Sequence, residues 1–160
     1  QKIKEVAQLG NAKFGMDEPL FLNNLVNAYV SEGNTQQALQ TVNDLIASNP
    51  DNGDLYGLRG FINDRMGNDD ASIADYRQAA ASPNVGFETL RNASKKMFLV
   101  GTKKYNEIEG AEPEKRNEVK NDYYMKAMEI AKQADAMQPG DSDLLNVIDS
   151  IQYALDTYFK

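Results

Sequence analysis

Three glycines recur along the chain at a constant interval of 34 residues. They are Gly33, Gly67 and Gly101, and the stretch from Gly53 to Asn84 has the pattern of two short helices joined by a tight turn at Gly67. A repeat of about this length is typical of helical solenoids, in which each helix pair buries its apolar face by stacking on its neighbours. The interval therefore predicts an all-α solenoid of antiparallel helix pairs.

Apolar positions at helical spacing divide the chain into five segments. We predict an N-terminal helix in residues 1–18, which is either the end of a preceding repeat or a solitary cap, and repeats over 19–52 and 53–84. An extended third repeat over 85–140 and a capping helix over 141–160 follow. The prediction is thus one domain of about eight helices with a C-terminal cap, and an extension of the native protein before Gln1 stays open.

The first two repeats resemble the tetratricopeptide repeat (TPR). In the first repeat the matching positions are Leu22, Leu25, Tyr29, Gly33, Ala38, Leu45 and Pro50. In the second they are Tyr56, Gly60, Gly67, Ile73, Tyr76, Ala79 and Pro83. The second repeat departs from the pattern at Arg59, where the family has leucine, and at Ser72, where it has alanine, and its proline is one place early. The resemblance implies a non-catalytic module that binds a protein or peptide.

The third repeat is longer than the other two. Pro50 follows Gly33 by 17 residues, whereas Pro139 follows Gly101 by 38, an excess of 21. Because this excess is close to six helical turns, or about three for each helix, it preserves the apolar face. We expect a projecting hairpin with its tip at Gly110–Pro113. With such a hairpin followed by a closing helix, the chain resembles TPR proteins of the bacterial cell envelope. This resemblance favours the periplasm or cell envelope over the cytoplasm as its location.

Composition excludes several classes of function. The net charge is −7 and the pI about 4.6, which disfavours a general nucleic-acid role because phosphate binding needs a basic face. The absence of His and Cys removes the common zinc sites, a thiol nucleophile and an imidazole base. The acidic turns at 51–54, 68–70 and 141–143 lack the spacing of calcium loops and are predicted to cap helices. We predict no enzymatic activity, cofactor, metal or membrane insertion.

The first helix of each TPR pair lines a concave groove, so the resemblance also indicates a binding face. By register this face contains Asn23, Asn27, Val30, Ser31, Asp54, Gly57, Phe61, Asp64, Arg65, Glu88, Arg91, Lys95, Phe98 and Leu99. The predicted partner contacts are Asn23, Asn27, Phe61, Asp64, Arg65, Arg91 and Lys95. Amides can pair with a ligand backbone, an aromatic ring can anchor it, and Arg91 with Lys95 could hold a carboxylate. The alternative is a solvated polar face, with Phe61 and Phe98 in the core.

Two functions follow from this interpretation. The first is an interaction module that binds a peptide or protein in the concave groove. The second is a structural or oligomerisation module that uses the long hairpin and forms part of a larger assembly.

Overall fold

The structure is a computed structural model that describes residues 19–108, 110 and 112–159. This part of the chain contains seven helices and no strand. They are α1 (Pro19–Ser31), α2 (Thr35–Ser48), α3 (Gly53–Arg65), α4 (Asp69–Ala81), α5 (Phe87–Glu107), α6 (113–137) and α7 (Ser142–Tyr158). The all-α prediction is confirmed, whereas the helix predicted in 1–18 lies outside the described residues. No helix in the described ranges is long and apolar enough to cross a membrane.

Helix α6 consists of three continuous segments. An α-helical segment Pro113–Val119 and a second one, Lys126–Met137, enclose the π-helical segment Lys120–Met125. The junction residues Lys120 (φ −53°, ψ −54°) and Lys126 (φ −68°, ψ −40°) keep helical backbone angles, so the axis is not interrupted. A π turn holds one residue more than an α turn. The segment therefore changes which side chains of α6 face its neighbours.

The lengthening of the third hairpin is shared unequally between its helices. Helix α5 has 21 residues against 13 in α3, whereas the three segments of α6 have 7, 6 and 12 residues against 13 in α4. The gain is therefore roughly two turns in α5 and just over three in α6, rather than three in each. One of the added residues of α6 is the extra residue of the π segment. When it is set aside, the gain in length of α6 is close to a whole number of turns.

Successive helices form contacting pairs, and the pairs lie side by side. Helices α1 and α2, α3 and α4, and α5 and α6 contact each other. In addition, α1 contacts α3, α3 contacts α5, and α5 contacts α7. The first helix of each pair thus neighbours the first helix of the next pair, which is the packing of a repeat-like all-α fold.

The three regularly spaced glycines have two different roles. Gly33 (φ +76°) and Gly67 (φ +77°) end helices in the left-handed conformation that glycine adopts at least cost. Gly101 instead lies inside α5, where a Cβ would stand 2.7 Å from the Cβ of Tyr123. A glycine at this position lets the π segment of α6 approach α5 closely.

Polar groups begin the helices at two of the acidic turns. The Asn52 side chain accepts a hydrogen bond from the Asp54 amide at 3.0 Å, and Asp141 accepts one from the Leu144 amide at 2.9 Å. Asn68 makes no such side-chain bond at the start of α4. The predicted capping role is therefore found at the first and last of the three turns.

Buried apolar side chains form two clusters. The smaller lies among α1, α2 and α3 and includes Val26, Val42 and Ile62. The larger joins α4 to α7 and includes Leu90 and Tyr124. The two clusters meet where α3 packs on α4, and the contact there is partly polar.

That contact gives Arg59 a structural role at a position where the TPR pattern, which this repeat resembles, has leucine. Asp75 on α4 is 6% exposed, and its carboxylate accepts three hydrogen bonds from Arg59, at 2.7, 3.0 and 3.1 Å. Asn63 donates a fourth at 2.9 Å, and a further Arg59 nitrogen donates to Asn43 at 2.9 Å. A buried carboxylate requires such partners. The arginine is therefore matched to an aspartate on the facing helix.

Candidate functional site

The residues predicted to bind a partner are distributed over α1, α3 and α5, the helices that lie side by side. On α1, Asn27 is exposed. Asn23 is in the same helix, but its side chain lies outside the described part of the structure. Phe61 on α3 is half-buried and packs against the smaller cluster, in agreement with the alternative that assigned it to the core.

Asp54 and Gly57 do not line an open face, contrary to the register-based expectation. One Asp54 carboxylate oxygen accepts hydrogen bonds from the Gly86 amide at 2.8 Å and from the Thr89 hydroxyl at 2.6 Å. Gly57 is buried against the Thr89 side chain, so that a Cβ would overlap it. Both residues are used in the contact between α3 and α5. The register of a residue in its repeat does not show whether the residue lies in this contact or in the groove beside it.

A lysine that sequence reasoning missed holds the turn between α3 and α4 against α5. The Lys96 ammonium contacts Asp64 and, at 2.9 Å, Asp69, which also binds Lys103 at 2.8 Å. Hydrogen bonds from Lys103 and Lys96 lower the pKa of Asp69 from 3.8 to about 2. Asp64 is thus already paired within the chain, whereas its neighbour Arg65 is exposed and forms no ion pair in the described region.

Arg91 is also occupied by groups of its own chain. Its guanidinium contacts Glu88, lies 3.5 Å from Asp141 and 4.0 Å from Asp143, and covers the Phe87 ring at 5.5 Å. These contacts fasten the start of α7 to α5. A partner carboxylate would have to displace one of them. Lys95, in contrast, is exposed and has no ion pair among the described residues.

A cleft of about 440 Å³ lies between α5 and α7. Its lining residues are Phe98, Thr102, Asp149, Ser150, Tyr153, Ala154 and Tyr158. Phe98 belongs to the predicted face, but the contribution of α7 was missed because its polar residues were expected to face solvent as a cap. The signal in the sequence was Tyr153, an aromatic residue outside the apolar stripe of α7, whose side chain is 66% exposed.

The floor of this cleft is held by aromatic contacts. Phe98 meets the Tyr124 ring edge-on at 5.7 Å, and Tyr158 stacks on Tyr105 at 5.0 Å with an interplanar angle of 17°. The Thr102 hydroxyl donates to the Phe98 carbonyl at 3.0 Å and accepts from the Tyr124 hydroxyl at 3.2 Å. Such contacts fix the rings in place. The cleft therefore has a formed floor and an exposed aromatic rim.

A second cavity, of about 510 Å³, lies at the start of α4. It is lined by Gly67, Asn68, Asp69, Asp70, Ala71, Val100, Lys103, Lys104 and Glu107. Its charges are paired with one another, because Lys103 binds Asp69 and Lys104 lies 3.7 Å from Asp70. It consequently offers few uncompensated groups to a ligand.

The side chains provide no evident metal centre: within residues 19–108, 110 and 112–159, no group of three His, Cys, Asp or Glu residues could hold an ion. Comparison of the chain with protein-family models, curated proteins and solved structures finds no match. What the protein does must therefore be argued from the geometry of its own residues.

Proposed function

We propose that the chain is a TPR-like solenoid that binds a peptide or protein partner without catalysing a reaction on it. The side-by-side order of α1, α3, α5 and α7 supports the solenoid, as do the left-handed turn glycines Gly33 and Gly67. In such a stack the first helices of the pairs form one continuous face. A partner that lies along this face would contact several helices at once.

The cleft between α5 and α7 is the observation that carries the proposal. It is open to solvent, its floor is formed by packed rings, and Tyr153 at its rim is the most exposed of the large hydrophobic residues in the described region. Exposed tyrosines beside a preformed pocket are typical of the residues that contribute most binding energy at protein interfaces.

The alternative function, assembly through the long hairpin, has less support. The residues near the tip are exposed and mostly charged: Glu112, Glu114, Lys115, Asn117 and Glu118. The exposed large apolar residues of α6 are Met125 and Met137, which are 48% and 53% exposed. Twelve residues of helix separate them by about 18 Å, so they do not form one patch. Stable interfaces usually need a contiguous apolar centre.

Peptide display on the immobilised chain tests the proposal. We expect peptides selected on the wild type to lose about tenfold or more in affinity on Tyr153→Ala, because truncation of a central aromatic anchor costs at least about 2 kcal/mol. Met137→Ala is the matched control, since it removes a comparably exposed apolar side chain outside the cleft. Failure to select any peptide, or equal binding to wild type and Tyr153→Ala, would contradict the proposal.

A further inference from the structure

Several polar groups that line the cleft between α5 and α7 have hydrogen-bond acceptors that no other described residue uses. The Asp149 carboxylate and the hydroxyls of Tyr153 and Tyr158 form no hydrogen bond to other described side chains or to the described backbone. The Ser150 hydroxyl donates to the Asn146 carbonyl at 2.7 Å, which leaves its lone pairs available. The cleft therefore suits a ligand that donates hydrogen bonds.

The charge of the cleft is negative. Asp149 is the one charged residue among the lining residues of the cleft, and it forms no ion pair in the described part of the chain. Helix α7 carries Asp143, Asp149 and Asp156 and no Lys or Arg between Ser142 and Tyr158. An unpaired carboxylate beside a pocket attracts a cation and repels an anion.

The apolar part of the lining favours one kind of cation. Phe98, Tyr153 and Tyr158 present aromatic rings, whose faces attract cations. A guanidinium is planar, stacks on such rings, and has five donors and no acceptor. An ammonium is more strongly hydrated and does not stack in this way.

The same chain already makes this contact elsewhere. Four guanidinium groups lie 5.5 to 5.7 Å from the centre of an aromatic ring. The pairs are Arg59 on Tyr56, Arg77 on Tyr123, Arg91 on Phe87 and Arg116 on Tyr105. Two lysine ammonium groups also lie over rings, each at 5.9 Å: Lys104 on Tyr123 and Lys120 on Phe159. Aromatic rings of this chain thus contact both kinds of cation, and the guanidinium contacts are the shorter and more numerous.

We propose that the cleft between α5 and α7 binds an arginine side chain of the partner, with the guanidinium at Asp149 and its aliphatic stem against Phe98 and Tyr153. The inference rests on the proposed function, since it names the chemistry that a partner must bring to this part of the groove. The carboxylate supplies the charge-assisted hydrogen bonds, and the rings cover the stem.

Titration of the isotope-labelled full chain with N-acetyl-arginine methylamide, followed by NMR, tests the arginine assignment. The amide signals of Phe98, Thr102, Ser150 and Tyr153 should shift. The matched probe is the citrulline derivative, which has nearly the same shape but no charge, and it should bind about tenfold more weakly. Equal binding of citrulline, equal binding of the lysine derivative, or shifts confined to another surface would overturn the proposal.

Two variants complete the experiment. Asp149→Asn should weaken arginine binding to the level of citrulline, whereas Asp156→Asn changes an aspartate that pairs with Gln152 on the same helix and should leave binding unchanged. The amide spectrum of each variant shows whether its fold is kept. Unchanged arginine affinity in Asp149→Asn would overturn the proposal.

The peptides from display separate this proposal from the function on which it rests. Enrichment of arginine in peptides that depend on Tyr153 would support both. Peptides that depend on Tyr153 but carry no enriched arginine would overturn the arginine assignment and leave the binding function in place. A display that yields no peptide would overturn the binding function itself.

Discussion

Replacing Arg59 by leucine introduces the residue that the TPR pattern has at this position, and we expect the change to destabilise the fold. Asp75 is 6% exposed and accepts three hydrogen bonds from Arg59 and one from Asn63. In Arg59→Leu the buried carboxylate keeps one of its four hydrogen bonds, the one from Asn63. Breaking a fully buried pair costs about 3–5 kcal/mol. Because the Arg59 side chain is 29% exposed and water can reach it, we expect a loss of about 2–3 kcal/mol.

Urea unfolding followed by circular dichroism measures this loss. Arg65→Leu is the matched control, since Arg65 lies on the same helix, is exposed and has no ion pair in the described structure, and its change should stay within about 0.5 kcal/mol. The double variant Arg59→Leu/Asp75→Leu should recover most of the stability, because it removes the unpaired charge. An Arg59→Leu variant as stable as wild type or more so would refute the reasoning.

Three further predictions concern single contacts. Ser72→Ala should stabilise the fold by about 1 kcal/mol in the same urea assay, because the buried Ser72 hydroxyl has no hydrogen-bond partner among the described residues; a loss of stability would contradict this. Gly101→Ala should lower stability by about 1–3 kcal/mol, since the new methyl would meet Tyr123, and an unchanged midpoint would show that α6 can shift. The pKa of Asp69 is lowered to about 2 from 3.8, so its contribution is complete above about pH 4 and is lost as the pH falls toward 2. We expect the contribution of Asp69 to the free energy of unfolding to be about 1 kcal/mol, a value reduced to allow for the exposure of Lys103. Asp69→Asn should remove that part of the pH dependence of stability.

The helix boundaries could be predicted because glycine and proline mark them in the sequence. Gly33 and Gly67 occur where only a residue that tolerates positive φ ends a helix cheaply, and Pro50 follows the end of α2. The 34-residue spacing by itself does not distinguish Gly101, whose interval is identical but whose role is a close contact with α6. The spacing of residues along the chain does not show how closely two helices approach each other.

The cleft could be predicted only in part, for a similar reason. Register placed Phe98, which lines the cleft, on the predicted face. It also placed Asp54 there, which binds Gly86 and Thr89 across the interface between α3 and α5. Whether a polar residue at a given register binds a neighbouring helix or remains open depends on how closely the helices approach. Tyr153 was missed because a terminal helix was expected to have a polar outer side.

Intermolecular nuclear Overhauser effects between an arginine-containing peptide from the display and the full chain test the central claim most directly. We expect contacts from the arginine side-chain protons to the ring protons of Tyr153 and Phe98, which both line the cleft between α5 and α7. These contacts should become much weaker in Asp149→Asn at the same peptide concentration, because the affinity for arginine falls about tenfold. Contacts from the bound peptide to the tip of the long hairpin, with none to Tyr153 or Phe98, would contradict the account.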